Sequence, residues 1–139
     1  MKNVISSVLM LLIVVTSTAN AKKVIVKEKE AKVIVMVNTA SWCPACQGNG
    51  ARVEKEVLSS YMKNPKVTIV VNDLSNEETK KVSKASCDKA GITTVAQTNV
   101  GTGMIYFIDA KTKKVLSQIS VTKTTEEINA AFKNVIEKA

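Results

Sequence analysis

The stretch Val33-Ile34-Val35-Met36-Val37-Asn38-Thr39-Ala40-Ser41-Trp42-Cys43-Pro44-Ala45-Cys46 decides how this chain folds. Its first five residues form an unbroken apolar run, mostly β-branched. A strand with one buried face alternates apolar and polar residues, whereas a strand covered on both faces reads as a continuous run, as in a parallel sheet. The run leads through a short, mostly polar stretch into Cys-Pro-Ala-Cys. Proline suits the first position of a helix, where a missing N–H costs nothing, so a helix is expected from Pro44 to about Met62. Val53, Val57, Leu58 and Tyr61 fall at helical spacing, and Asn64-Pro65 stops the helix. Gly48 and Gly50 weaken its first half, each by roughly 1 kcal/mol relative to Ala.

Working outward, Val67–Val71 reads as a second buried strand and Ser75–Ala90 as a polar helix ended by Gly91. Thr93–Gly103 is a polar connection with no clear period. Met104–Ile108 is a third strand, Asp109–Lys114 a turn, and Val115–Val121 a fourth strand. Thr124-Thr125-Glu126-Glu127 matches a capping box. It opens a last helix with Ile128, Ala131, Phe132, Val135 and Ile136 on one face. The predicted order is β-α-β-α-β-β-α, an α/β arrangement. Its first half implies a right-handed parallel crossover, and its second half an antiparallel hairpin with a covering helix.

At the N-terminus, Met1-Lys2-Asn3 is basic, Val4–Val15 is almost wholly apolar, and Ala19-Asn20-Ala21 ends a small, polar stretch. That order predicts a signal peptide over residues 1–21, cleaved after Ala21. The apolar run is well short of the ~20 residues that span a bilayer. Residues 22–31 are charged, with Val24-Ile25-Val26 as a candidate edge strand, and residues 32–139 form one domain. An exported chain is periplasmic in a cell with two membranes, and secreted or held in the wall of a cell with one.

The net charge is +8, from 20 basic and 12 acidic side chains, and Arg52 is the only Arg. The lysines are spread along the chain among glutamates, and aromatic residues make up only 4%. Nucleic-acid binders cluster Arg and Lys on one face with stacking aromatics. A solvated basic surface is therefore the better reading, and no nucleic-acid partner is expected. Histidine is absent. This excludes Ser-His and Cys-His nucleophiles, His-ligated metals and a covalent haem site, which needs Cys-x-x-Cys-His. The remaining chemistry belongs to Cys43, Cys46 and Cys87.

Thiol–disulfide exchange needs an attacking thiolate and a second thiol close enough to release the mixed disulfide. A Cys-x-x-Cys pair at a helix start supplies both. Cys43 would sit where unpaired N–H groups and the helix dipole favour the thiolate, with Cys46 one turn along, shielded beneath it. Cys43 is thus the expected attacking group and Cys46 the resolving one. Half of a zinc site is a competing reading, but tetrahedral zinc normally takes four ligands, and there is no second Cys-x-x-Cys and no His. A purely structural disulfide competes too, but so small a loop constrains the unfolded chain little. Cys87 reads as a small apolar core residue, with a third redox thiol or an intermolecular bridge as the sharper alternative.

The quoted stretch resembles the central strand and the A-x-W-C-x-x-C active site of the thioredoxin family. The element order of nearly the whole of residues 22–139 is similar too. The resemblance implies a thioredoxin-like fold, a mixed four- or five-stranded sheet with flanking helices. It also implies exchange of disulfides with cysteine-containing client proteins, without an organic cofactor. Trp42 would pack beside the active site, and Pro44 and Ala45 would help set the redox potential. Exported oxidases of the superfamily carry a helical insertion and dimeric isomerases a dimerisation domain. Residues 22–139 have room for neither, which implies a monomeric reductase served by a membrane electron donor.

The sequence departs from the family pattern at three places. Val37 stands where thioredoxins have a buried Asp that assists proton removal from the resolving thiol. The family's helix-kinking Pro would fall near Ala51, where this chain has Gly48 and Gly50 nearby instead. Gly103 stands where the cis-Pro is expected, and a cis Thr102–Gly103 bond would cost ~3–4 kcal/mol, so a trans bond is expected. Thr102 and Gly103 form the candidate substrate-binding loop. Without the proline ring, the loop is expected to be more flexible and the cysteines less shielded, so that Cys43 and Cys46 could hold a soft metal ion. The alternative function is accordingly a thioredoxin-fold protein that binds a metal or a partner without redox turnover.

Overall fold

The structure, a computed structural model, describes residues 30–139. The expected signal peptide and the candidate edge strand at Val24–Val26 lie outside the described residues. Strand β1 (Val33–Thr39) leads into helix α1 (Pro44–Val53), which runs on through a π-helical turn (Glu54–Leu58) and α2 (Ser59–Tyr61). Then come β2 (Val67–Asp73), α3 (Glu77–Ala90), α4 (Thr93–Thr98), β3 (Met104–Asp109), β4 (Val115–Ser120) and α5 (Thr125–Lys138). Among the described residues the strands form one four-stranded sheet in the order β2-β1-β3-β4. β1 is parallel to β2 and antiparallel to β3, and β3 is antiparallel to β4. The mixed sheet with flanking helices expected from the sequence is present.

β1 is central and covered on both faces, as its unbroken apolar run requires. Val33, Val35 and Val37 pack with Val53, Val57, Phe107, Ile128 and Phe132 on one side. Ile34 and Met36 pack with Val70, Cys87, Ile92 and Tyr106 on the other. Phe132 of α5 lies stacked on Tyr61, with ring centroids 4.2 Å apart, and meets Phe107 edge-on at 4.9 Å. Ring pairs in these geometries add roughly 0.5–1.5 kcal/mol beyond the area they bury.

Local signals set the helix ends. The expected capping box at Thr124 and Glu127 opens α5. Asn76 and Thr79 form a second one that opens α3 two residues later than expected. Gly91 closes α3 in the left-handed region, φ 70°, where a Cβ would be strained. The polar connection expected over Thr93–Gly103 instead begins with α4. Its Thr-Thr-Val-Ala-Gln-Thr composition is poor in helix formers. The packing of Val95 and Ala96 against the core around buried Ile92 supplies what propensity does not. The helix from Pro44 ends at Tyr61, as expected within a residue, but widens into a π turn midway.

Candidate active site

The end of β1 and the start of α1 bring Cys43 and Cys46 together in a disulfide, with Cα atoms 5.3 Å apart. Cys43 is the N-cap of α1, and Pro44 occupies the first turn. The Cys46 N–H donates to Cys43 Sγ at 3.2 Å, the bond that an N-cap oxygen ordinarily accepts. The first turn of α1 holds no acidic residue, so no carboxylate there opposes a negative sulfur at the helix end.

Cys43 is 4% exposed and Cys46 9%. Cys46 lies one turn along the helix and is buried, as the expected shielding requires, and in the oxidised pair Cys43 is covered as well. The cysteines were expected to be less shielded at Gly103, but both are covered in the oxidised pair. The Thr102–Gly103 bond is trans, as expected, and Gly103 has φ 72°. A Cβ at Gly103 would lie 3.1 Å from Ala45 Cβ and 3.6 Å from Cys43 Sγ. Because there is none, the backbone closes directly over the pair.

Hydrogen bonds hold that loop in place of a proline ring. Gly103 N–H donates to Asn38 O at 2.9 Å, and Val121 N–H donates to Gly103 O at 2.9 Å. The Asn38 side chain, fully buried, donates through Nδ2 to Asn99 O (2.6 Å) and Gly101 O (3.1 Å). Its Oδ1 accepts from Asn72 Nδ2 at 3.0 Å. Half-buried Thr102 makes no backbone hydrogen bond to any described residue. Arg52 braces the same region from behind, donating to the Val121 and Lys123 carbonyls at 2.8 Å each and to Thr125 Oγ1 at 2.9 Å.

Trp42 flanks the pair but is 60% exposed. Its Nε1–H donates to Ser75 O at 3.2 Å, and Ser41 N–H donates to Ser75 Oγ at 2.7 Å. Pro44 is exposed, and half-buried Ala45 packs with the small cluster of Ala40, Cys43 and Cys46. Asn38, Arg52 and Ser75 were not singled out in the sequence. Only Asn38 carried a signal there, as a polar residue closing an apolar run. Val37, at the position of the family's acid, is buried.

Cys87 is 1% exposed and packs in the core on the Ile34–Met36 side of the sheet, apart from the pair. Burial pushes its thiol pKa up, and the neighbouring Asp88 carboxylate adds to the shift. Among the described residues, no group of three or more His, Cys, Asp or Glu side chains could hold a metal ion. A groove of about 950 Å³ runs beside β2 and α3, and no cysteine lines it.

No protein-family model matches the chain, and no curated protein does. Solved structures do. A candidate protein disulfide isomerase from Bacteroides thetaiotaomicron superposes with a TM-score of 0.52 at 17% identity, covering 80% of this chain and 77% of that one. DsbF from MTB gives 0.50 at 21% identity, covering 76% and 82%. StoA from Bacillus subtilis gives 0.50 at 13% identity, covering 73% and 82%. At these identities the likeness is one of architecture, and it agrees with the strand order and helix placement described above: the chain has a thioredoxin-like fold, with a Cys-x-x-Cys pair at the start of its first helix.

Proposed function

We propose that this chain is a thiol–disulfide oxidoreductase acting on cysteine-containing client proteins. The observation that carries the reading is the Cys43–Cys46 disulfide at the N-terminus of α1, with the Cys46 N–H aimed at Cys43 Sγ. In the reduced chain, that N–H and the helix dipole would favour a Cys43 thiolate. The thiolate attacks one sulfur of a client disulfide, and the other client sulfur leaves as a thiolate. Cys46, deprotonated, then attacks Cys43 Sγ, and the remaining client sulfur leaves in turn. Two electrons pass to the client, and the Cys43–Cys46 bond re-forms. Because Cys43 is covered, the client must open the contact between Gly103 and Ala45, and the backbone of Thr102 is available to pair with it.

The leader-like residues 1–21 support a place outside the cytoplasm, periplasmic or secreted. There the chain would act as a monomer, re-reduced by a membrane electron donor. The first measurement is the reduction potential of the pair in residues 22–139, equilibrated against glutathione and dithiothreitol buffers. A potential near −270 mV is expected for a reductase, and one near −120 mV would reverse the direction. A second reading, a partner-binding protein without turnover, is favoured by the burial of Cys43, which also removes the opening that metal binding by the pair would use. It requires that the pair not cycle and that Cys43→Ala change nothing in a disulfide turnover assay.

A further inference from the structure

Resolution by Cys46 requires its thiol to lose a proton, because only the thiolate attacks. Cys46 is nearly buried, and Val37 offers it no base. The proton must leave by way of the space around the sulfur. Beside Cys46 lies a cavity of about 280 Å³, lined by Cys46, Gly50 and Glu54 along the helix and by Val37 and Val71 of the sheet. Of all the residues that line it, only Cys46 and Glu54 have ionisable side chains.

The spacing is regular. Cys46, Gly50 and Glu54 follow one another at intervals of four, so they run along one side of the helix. A Cβ at Gly50 would meet nothing within 4 Å. The position between Cys46 and the exposed Glu54 therefore carries no side chain, and the helix surface between the two residues is open. About 12 Å of helix rise separates Cys46 from Glu54, and glutamate side chains on a helix lean back towards its N-terminus. The cavity is large enough to admit water. The Glu54 carboxylate makes no ion pair with any described residue. Glu56, by contrast, accepts a hydrogen bond from Thr125.

We propose that Glu54 accepts the proton that Cys46 gives up, through water in the lane that Gly50 leaves open. This rests on the exchange reading and adds its missing proton acceptor. The proton moves from Cys46 Sγ through water to the Glu54 carboxylate. The new thiolate then attacks Cys43 Sγ, and the Cys43–client bond breaks as the Cys43–Cys46 bond forms.

The test follows the reduced chain reacting with a chromogenic aromatic disulfide in stopped flow. The first equivalent of aromatic thiolate reports attack by Cys43, and the second reports resolution by Cys46. Glu54→Gln is expected to leave the first phase unchanged and to slow the second about tenfold at pH 7, less than a base in direct contact would give. The loss should vanish above the range where free thiols ionise, about pH 8.5. Gly50→Leu, which fills the lane at a helical site with open space, is expected to slow the second phase in the same way. A Glu54→Gln second phase equal to that of the wild type would overturn the proposal, as would one slowed equally at every pH. If the wild type released no second equivalent, the exchange reading would itself fall, and this one with it.

Discussion

Gly103 shows how one missing side chain shapes the site. Its backbone lies in the left-handed region at φ 72° and closes over Ala45 and Cys43. Gly103→Ala would cost about 1–2 kcal/mol for the backbone conformation alone. The added methyl, 3.1 Å from Ala45 Cβ, must also push the loop off the pair. The variant is expected to unfold at lower denaturant by at least that amount, and its cysteines are expected to react faster with a bulky disulfide. A stability equal to that of the wild type would mean that the loop does not press on the pair. The sequence pointed to Gly103 because a glycine stood where a proline was expected. Less shielded cysteines were expected there, yet both are covered, and the loop is tied by hydrogen bonds to Asn38 and Val121. Asn38 meets its partner Asn99 across 61 residues of chain, and Arg52 meets Thr125 across 73. No local pattern announces such pairs. Cys43, Cys46 and Pro44 were legible because a helix start writes its requirements into neighbouring residues.

Among the elements, those carrying their own signals were read correctly. The buried run of β1, the capping box of α5 and the Gly91 stop of α3 are properties of a few adjacent residues. α4 escaped because its stability comes from the core beneath it rather than from its sequence. The π turn at Glu54–Leu58 escaped for the same reason: nothing in Glu-Lys-Glu-Val-Leu distinguishes it from an ordinary turn. α1 itself is a helix of weak composition at the site of chemistry. Gly48 is exposed, and a Cβ there would meet nothing within 4 Å. Gly48→Ala is expected to stabilise the chain by up to about 1 kcal/mol. For a domain of this size that raises Tm by roughly 3–6 °C, measurable by thermal unfolding, with the reduction potential of the pair unmoved. A drop in Tm would mean that the glycine serves a close approach that the open space around it does not reveal.

At the scale of the whole molecule, the sheet separates two kinds of cysteine. Cys43 and Cys46 sit at the end of β1, in a small cluster with Ala40. Cys87 sits against Ile34, Met36 and Ile92, in a core that the redox pair does not enter. Burial raises its thiol pKa, with Asp88 adding to the shift, so the folded chain holds this proton more tightly than the unfolded chain does. Below the ordinary thiol range, about pH 8.5, both states are protonated there and the group costs nothing. As pH rises past that value the unfolded state ionises first, and stability falls until the folded thiol titrates in turn. The oxidised native chain is therefore expected to take up no iodoacetamide at pH 7.5 and one equivalent, at Cys87, once denaturant is added, as read by mass spectrometry. Its Tm should also fall as pH is raised from 8 to 10. Rapid labelling of the native chain would place Cys87 within reach of solvent and make it a third thiol available for exchange. Slow labelling confined to the unfolded state would leave the chemistry to Cys43 and Cys46 alone.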